Sequence, residues 1–147
     1  MNEKDLGVFI DSLTNYFKQM GAEPDVGVPY IKGDEAVVLD FTGLIGISGA
    51  RKGCVYVSCP RTMLAKFVEI LLDEKDAPEA SIRDMAGEMA NTIAGNVREK
   101  FGSEFMISVP VVISGSPVNV DFPLKVPTYV IPVNWGEYQS FLVVGIQ

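Results

Sequence analysis

The chain has 147 residues, of which 48% are hydrophobic and 21% are charged, and its formal net charge is −7. This composition is typical of a globular protein and excludes an intrinsically disordered chain, so we expect residues 1–147 to form a single domain. The acidic balance argues against a nucleic-acid-binding protein. Binding to polyphosphate needs clustered cations, and the 12 Lys and Arg residues are scattered.

Histidine is absent from the sequence. Its absence excludes a Ser-His-Asp or Cys-His catalytic centre and any metal site built on imidazole. No apolar run approaches the ~20 residues of a membrane-spanning helix, and the N-terminus MNEKDL lacks the pattern of a signal peptide. We therefore expect a cytoplasmic protein that inserts into no membrane. Its acidity favours a small-molecule ligand or the basic surface of another protein.

The first elements of the chain are a helix and two short strands. Apolar residues recur at helical spacing over Glu3–Met20 and predict an amphipathic helix that ends at Gly21. Strands are predicted at Val28–Ile31 and at Glu35–Phe41, where apolar and polar residues alternate.

A hairpin is predicted next. Ile45–Ser48 and Cys54–Ser58 flank a loop bounded by glycine, as in two paired strands. The two cysteines, Cys54 and Cys59, lie five positions apart, which in a strand puts them on opposite faces and roughly 16 Å apart. That separation is beyond the reach of a disulfide, so both thiols are expected to be reduced and structural.

The second half of the chain adds two helices and three strands. Pro60 opens a helix that runs to about Leu72, and Ser81 is predicted to cap a longer helix that runs to about Phe101. Three prolines keep Ser116–Pro127 in a loop or at a sheet edge. Further strands are expected near Phe105–Ile113, Thr128–Val133 and Tyr138–Ile146. The pattern indicates an α+β fold, with a largely antiparallel sheet packed with three main helices.

The third helix carries an unusual polar stripe. At about 100° per residue, Asp84, Glu88, Asn91 and Gly95 fall at about 0°, 40°, 340° and 20°, opposite the apolar face. That apolar face is predicted to contain Ile82, Met85, Ala86, Met89, Ala90, Ile93 and Val97. Glycine costs ~1 kcal/mol against alanine inside a helix, and this helix has both Gly87 and Gly95. Small residues beside an acid and an amide suggest that a partner approaches the backbone closely.

Structural explanations exist for several of these residues. Asp84 would complete a capping box with Ser81 and lie favourably near the positive end of the helix. Glu88 alone would be an ordinary solvated side chain. Asn96 lies beside the apolar face and is predicted to be a buried hydrogen-bonding group rather than a ligand.

A family resemblance gives the stripe a function. Asp84–Asn91 reads DMAGEMAN and continues as TIAGN. It resembles the D/S-x-x-x-E-x-x-N signature of the CheC/CheX/FliY chemotaxis phosphatases, and most closely that of CheX-like members. Ile45–Gly53 is similar to the family's Ile-Gly-Phe-Thr-Gly hairpin, and Ser108–Gly115 is similar to the strand after its active helix. The resemblance covers nearly the whole chain and implies a CheC/CheX-like fold.

The resemblance implies an enzyme that hydrolyses the aspartyl phosphate of a CheY-like response regulator in chemotaxis. Within that activity, Asn91 is expected to orient the attacking water and Glu88 to pair with a lysine of the regulator. Asp84, Gly87 and Gly95 are expected to contact the docked partner or leave room for it. The protein would need no cofactor or metal of its own, since Mg²⁺ belongs to the regulator's phosphorylation site.

The resemblance also implies a homodimer joined partly through sheet edges. Some relatives carry two motifs, but the first helix offers only Asp11–Asn15, with Ser12 in place of the glutamate, so one site is expected. The main alternative is a non-catalytic binding or assembly module of the same fold for a signalling or flagellar-switch protein. A third alternative is an unrelated small-molecule-binding domain, which would be favoured by a deep apolar pocket away from the helix.

Overall fold

The computed structural model describes residues 1–115 and 126–147. Within these ranges, helices α1, α2 and α3 span Glu3–Lys18, Arg61–Leu72 and Glu79–Phe101. The strands are β1 Asp25–Val26, β2 Tyr30–Ile31, β3 Phe41–Gly49, β4 Gly53–Cys59, β5 Phe105–Ile107, β6 Val111–Ser114, β7 Tyr129–Trp135 and β8 Tyr138–Ile146. The predicted α+β class with three helices is confirmed. None of these helices combines the length and apolar composition needed to cross a membrane.

The described strands form one antiparallel sheet in the order β1-β7-β8-β4-β3-β5, with β2 also paired to β7 and β6 also paired to β3. Its centre consists of two long hairpins, β3–β4 and β7–β8. Phe41 pairs with Cys59 and Ile47 pairs with Gly53 in the first hairpin, as the glycine-bounded loop predicted. Gly49 and Gly53 close that hairpin with φ values of 87° and 153°, which glycine adopts without steric cost.

The helices pack on one face of the sheet, where they bury the main core. Phe67 of α2 lies at the centre of an aromatic cluster. Its ring centroid is 5.2 Å from that of Trp135, 5.7 Å from that of Phe17 and 6.0 Å from that of Tyr16. These contacts join α1, α2 and β7, and they explain the strong apolar periodicity of the first two helices.

The predicted strand over Glu35–Phe41 is wrong for most of its length, because β3 begins only at Phe41. The preceding segment instead packs beside Tyr56, whose side chain extends from the sheet face opposite the helices. The Tyr56 hydroxyl donates to the Val37 carbonyl at 2.8 Å, and the Leu39 amide donates to the Ser58 hydroxyl at 2.6 Å. Apolar alternation in this segment therefore reflects burial against the sheet rather than pairing within it.

The predicted strand over Phe105–Ile113 is divided into β5 and β6. Ile107 pairs with Ile47, whereas Val111 pairs with Leu44, so the outer strand contains one residue more than β3. This is a β-bulge. Ser108 keeps the bulge attached to β3, because its amide donates to the Gly46 carbonyl at 2.9 Å and its hydroxyl accepts from the Gly46 amide at 2.8 Å.

Both cysteines are buried and free, as predicted. They extend from opposite faces of β4, and the thiol of Cys59 contacts the Met89 sulfur at 3.7 Å. Burial raises the pKa of the Cys54 thiol to about 11 and raises that of Cys59 further. The predicted loop over Ser116–Pro127 lies mostly outside the described residues.

Candidate functional site

Helix α3 provides the candidate site, and its apolar face is buried as predicted. All seven residues assigned to that face are buried. The buried sector is nevertheless wider than expected, because Gly87 and Ala94 are also buried on its other flank. This difference arises from the segment around the β-bulge, where Pro110 and Val112 pack over Gly87.

The predicted N-cap at Ser81 is wrong. Helix α3 begins at Glu79, and its N-cap is Pro78, which makes no side-chain capping bond. The Ser81 amide already donates to the Pro78 carbonyl at 3.0 Å, inside the first turn. Asp84 therefore lies in the second turn and cannot complete a capping box with Ser81. A capping box therefore does not explain why an aspartate stands at position 84 on the stripe.

The polar side chains of the stripe face outward. Asp84, Glu88 and Asn91 are all exposed. Among the described residues, neither carboxylate forms an ion pair, and the Asn91 amide makes no hydrogen bond to the protein. Glu88 and Asn91 are three residues apart, which puts their Cβ atoms about 5–6 Å apart on one helical face. Their hydrogen-bonding groups are thus available together to a partner.

Gly43 of β3 explains how closely α3 approaches the sheet. A Cβ atom on Gly43 of β3 would lie 3.0 Å from the Ala90 Cβ and even nearer to the Ala86 backbone. Glycine at this position therefore lets the helix sit directly on the sheet. Gly43, Gly46 and Gly49 form a G-x-x-G-x-x-G run, but all three lie within β3 and not in a loop that leads into a helix, so the run is not a phosphate-binding loop.

The glycines of α3 itself have different surroundings. A Cβ on Gly87 would meet the Val112 side chain at 3.1 Å and the Pro110 side chain at 3.6 Å. The expectation that Gly87 leaves room for a partner is therefore corrected, since the chain's own outer strand occupies that space. Gly95 differs, because no atom of residues 1–115 and 126–147 lies within 4 Å of the position that its Cβ would take. The open surface at Gly95 is consistent with close approach of another molecule.

Two arginines hold α3 against the outer strands. The Arg83 guanidinium donates to the Ser114 hydroxyl and, at 2.8 Å, to the Val112 carbonyl. Near the other end of the helix, Arg98 donates to the Phe105 carbonyl at 2.9 Å. Both guanidinium groups are thus directed at the outer strands, and the charged side chains of the stripe itself are the carboxylates of Asp84 and Glu88.

Asn96 is not buried as predicted. It is half-buried, makes no hydrogen bond to the described residues, and lines a polar groove between α1 and α3. Asp11 and Asn15 line the same groove from α1. Sequence reasoning treated these two residues only as an incomplete second motif, because the packing of α1 against α3 is not visible in either helix alone.

The exposed side chains of the stripe, two carboxylates and an amide, are groups that can bind and orient a partner. In residues 1–115 and 126–147, no three His, Cys, Asp or Glu side chains come together to hold a metal ion. Asp84 and Glu88 lie one turn apart and supply too few oxygen ligands for tight Mg²⁺ binding. Either carboxylate can pair with a cation, and the Asn91 amide can both donate and accept hydrogen bonds.

The sheet, the helical layer and the outward D-x-x-x-E-x-x-N helix define a domain of the CheC/CheX-like class. Residues 41–134 match the profile of the family described as Chemotaxis phosphatase CheX. That match covers more than half of the 147 residues. The chain belongs to the CheX family.

Solved structures agree with this assignment. A chemotactic CheC-like protein from Shewanella oneidensis MR-1 has a TM-score of 0.88 at 25% identity, with 100% of both chains covered. The chemotaxis protein CheX from Vibrio vulnificus has a TM-score of 0.86 at 25% identity, covering 98% of this chain and 99% of that one. No curated protein matches the sequence.

A third similar structure is that of the CheX–CheY–BeF₃–Mg²⁺ complex from Borrelia burgdorferi. It has a TM-score of 0.78 at 16% identity, with 97% of each chain covered. At that identity the likeness shows a shared fold and no more.

Proposed function

We propose that this protein accelerates hydrolysis of the aspartyl phosphate on a CheY-like response regulator, with Asn91 orienting the attacking water and Glu88 docking on the regulator. The observation that carries the proposal is the pairing of these two side chains. Both are exposed on one turn of α3, and neither has a partner among the described residues. Membership of a family described as chemotaxis phosphatases supports the same reaction.

The chemistry of an acyl phosphate suits such a sparse site. The aspartyl phosphate is a mixed anhydride, so its hydrolysis requires neither a protein nucleophile nor a strong base. Water attacks phosphorus, the bond between phosphorus and the aspartyl oxygen breaks, and the products are inorganic phosphate and a free carboxylate. Orienting the water in line with that bond is the step that an added protein can accelerate.

An amide is well suited to orient that water. Asn91 can accept a hydrogen bond from the water and donate one to a phosphoryl oxygen. It brings no negative charge toward the phosphate, unlike a carboxylate. In this proposal its contribution appears mainly in the transition state, when the water is aligned with phosphorus.

Glu88 has the complementary role. Its carboxylate would repel a phosphoryl group but attract a lysine or arginine of the regulator. Pairing there would fix the position of α3, and therefore of Asn91 one turn away. Asp84 adds a second acidic contact, and the open surface at Gly95 leaves room for the partner's backbone.

The complex in the Borrelia burgdorferi structure contains CheX, CheY, BeF₃ and Mg²⁺. That composition, in a protein of the same fold, supports a CheY-like partner for this chain. Mg²⁺ would be held at the regulator's phosphorylation site and would bind the phosphoryl oxygens there. This chain would then contribute no metal ligands and no cofactor.

The direct test is phosphate release from a phosphorylated receiver domain, measured with and without this protein. We expect phosphate release to accelerate at substoichiometric amounts of protein, since a catalyst turns over. Binding of the phosphorylated receiver with an unchanged rate of phosphate loss would contradict the proposal. That outcome would instead identify a non-catalytic binding module of the same fold.

A further inference from the structure

A polar groove runs between α1 and α3 beside the proposed docking stripe. Its volume is about 430 Å³, and both helices contribute to its walls. Residues lining it are Val8, Asp11, Ser12, Asn15, Gln19, Asn96, Glu99 and Lys100. On α1, the lining spans three turns, or about 16 Å at 1.5 Å per residue. The groove is therefore long enough to hold a short peptide segment.

Contacts between the two helices fix the direction of this groove. The Tyr16 hydroxyl lies 4.0 Å from the Met85 sulfur, and the ring centroids of Phe9 and Phe101 are 6.2 Å apart. The helices are therefore antiparallel. The Gln19 end of the groove points toward the part of α3 that carries Glu88, and its other end points toward the C-terminus of α3.

The stripe lies close to the α3 wall of the groove, which contains Asn96 and Glu99. Around the helix, Asn96 lies about 80–100° and Glu99 about 20–40° from Glu88 and Gly95. A partner docked on the stripe would thus extend over the groove without leaving the surface of α3.

The groove contains hydrogen-bonding groups that the protein does not use. Ser12 is only 4% exposed, and its hydroxyl has no hydrogen-bond partner among the described residues. The amides of Asn15, Gln19 and Asn96 likewise make no side-chain hydrogen bonds within the described ranges. Although the Ser12 side chain is almost fully enclosed, its oxygen can be reached from the open groove, so this hydroxyl and the three amides are available to a polar molecule that enters it.

The chemistry of the lining identifies the kind of occupant. Amides and a hydroxyl can bind both the N–H and C=O groups of a peptide backbone. Asp11 and Glu99 outnumber the single cation, Lys100, and the neighbouring stripe adds two more carboxylates. The surface therefore favours a peptide segment that carries lysine or arginine.

We propose that this groove is a second contact area for the response regulator, and that it binds a basic loop of the same molecule whose phosphorylation site lies on the α3 stripe. The inference rests on the proposed function, because it takes that regulator as its partner. In this arrangement the stripe acts on the phosphoryl group, whereas the groove contributes affinity and partner selection.

The test uses a charge reversal in the groove and a matched one elsewhere. The groove variant is Asp11→Lys combined with Glu99→Lys. The control is Asp25→Lys combined with Asp34→Lys; both residues are exposed, and they lie in β1 and in the loop after β2. Each pair changes the net charge equally. Affinity is measured for a receiver domain carrying BeF₃⁻ in place of the phosphoryl group, and the rate is measured by single-turnover phosphate release at saturating protein.

The groove variant should bind the receiver on the order of tenfold more weakly than the control at low ionic strength, and the difference should shrink as salt is added. Its rate at saturation should match that of the unmodified protein. Equal affinities of the groove and control variants would overturn the proposal. So would a groove variant that loses rate at saturation while keeping its affinity.

Asn15→Phe supplies a test by shape rather than charge, because a ring at this exposed helical position would fill the groove. Weaker receiver binding with an unchanged melting temperature supports the proposal, and unchanged binding overturns it. Asn91→Ala measured in the same series separates the two proposals. If Asn91→Ala loses rate while the groove variants bind the receiver normally, the proposed function is supported and only the proposal for the groove is overturned.

Discussion

At the scale of single residues, the site is divided between a charge and an amide. Glu88 and Asn91 occupy equivalent exposed positions one turn apart on α3. They differ in what they do to an approaching phosphoryl group, since the carboxylate repels it and the amide can bind it. This difference predicts that the two residues affect separate measured quantities.

Replacing Glu88 with alanine should weaken binding of the receiver domain. Loss of a partly desolvated ion pair costs about 2–5 kcal/mol on truncation, so the dissociation constant should rise by at least tenfold. The measurement is titration of the receiver carrying BeF₃⁻, followed by calorimetry or fluorescence. Asp25→Ala is the control, because Asp25 is an exposed acid on the strand at the far end of the sheet. Equal affinities of the two variants would contradict docking through Glu88.

The exposure of a side chain was predicted correctly where it depends only on the residue's position within one helix. The outward positions of Asp84, Glu88 and Asn91 follow from helical spacing alone, and the structure agrees with each of them. Gly87 and Asn96 were placed wrongly. Their environments depend on the bulged outer strand and on α1, neither of which can be aligned with α3 from sequence spacing.

At the scale of elements, the seating of α3 on the sheet determines where the site lies. Gly43 of β3 sits beneath Ala86 and Ala90, which flank the turn that carries Glu88. Arg83 and Arg98 then attach the helix to the outer strands. The stripe is thus presented by a helix that is fixed at both ends and along one side.

Alanine at Gly43 should destabilise the fold, because its Cβ would press against the backbone and side chains of α3. Overpacking of this kind costs about 1–3 kcal/mol. Gly95→Ala is the matched control. Its Cβ would meet no atom of the described residues within 4 Å, and alanine should stabilise the helix by up to ~1 kcal/mol. Urea unfolding of both variants tests the pair, and equal midpoints would contradict this account of how α3 is seated.

Helices and hairpins were the most predictable elements. The bounds of α2 agree with the sequence pattern, and the first hairpin turns at its predicted glycines, because periodicity and glycine positions are local signals. The first strand of that hairpin is longer than predicted, since β3 begins at Phe41 rather than at Ile45. The segment before β3 was assigned to a strand from its alternation alone. Whether an extended segment pairs or instead packs across a sheet depends on partners distant in the chain, such as Tyr56 and Ser58.

At the scale of the whole molecule, burial of two thiols predicts a loss of stability at alkaline pH. The pKa of Cys54 is about 11 in the folded protein, whereas an exposed cysteine has a pKa of about 8.5. The folded state therefore holds the proton more tightly. The contribution of the protonated Cys54 thiol to the free energy of unfolding is complete below about pH 8.5. As the pH rises from there toward 11, the free energy of unfolding falls by up to ~1.4 kcal/mol per pH unit.

Melting temperature measured from pH 7 to 11 should therefore fall increasingly steeply above about pH 8.5, and Cys54→Ala should show a shallower fall. The unmodified protein and Cys54→Ala differ in a single titrating group, the Cys54 thiol. A melting temperature that falls equally in both would contradict the assignment of this pH dependence to the Cys54 thiol.

The ends of the sheet bear on assembly. Strands β1 and β2 lie at one end, and the bulged β5 and β6 lie at the other. Exposed apolar side chains accompany both ends, including Ile31 and Val111. Unpaired strand edges with apolar side chains favour pairing with a second chain. We expect a homodimer joined partly through a sheet edge, and light scattering at tens of micromolar should give twice the chain mass of 16.0 kDa. A monomeric mass would contradict this expectation.

The central claim is that Asn91 orients the water that attacks phosphorus. Single-turnover phosphate release from a phosphorylated receiver, at saturating Asn91→Ala, tests it most directly. Since oriented water is lost while docking through Glu88 remains, we expect the rate to fall by on the order of 10²-fold and the affinity for the receiver to stay within about twofold. An Asn91→Ala variant that releases phosphate at the unmodified rate would contradict the claim.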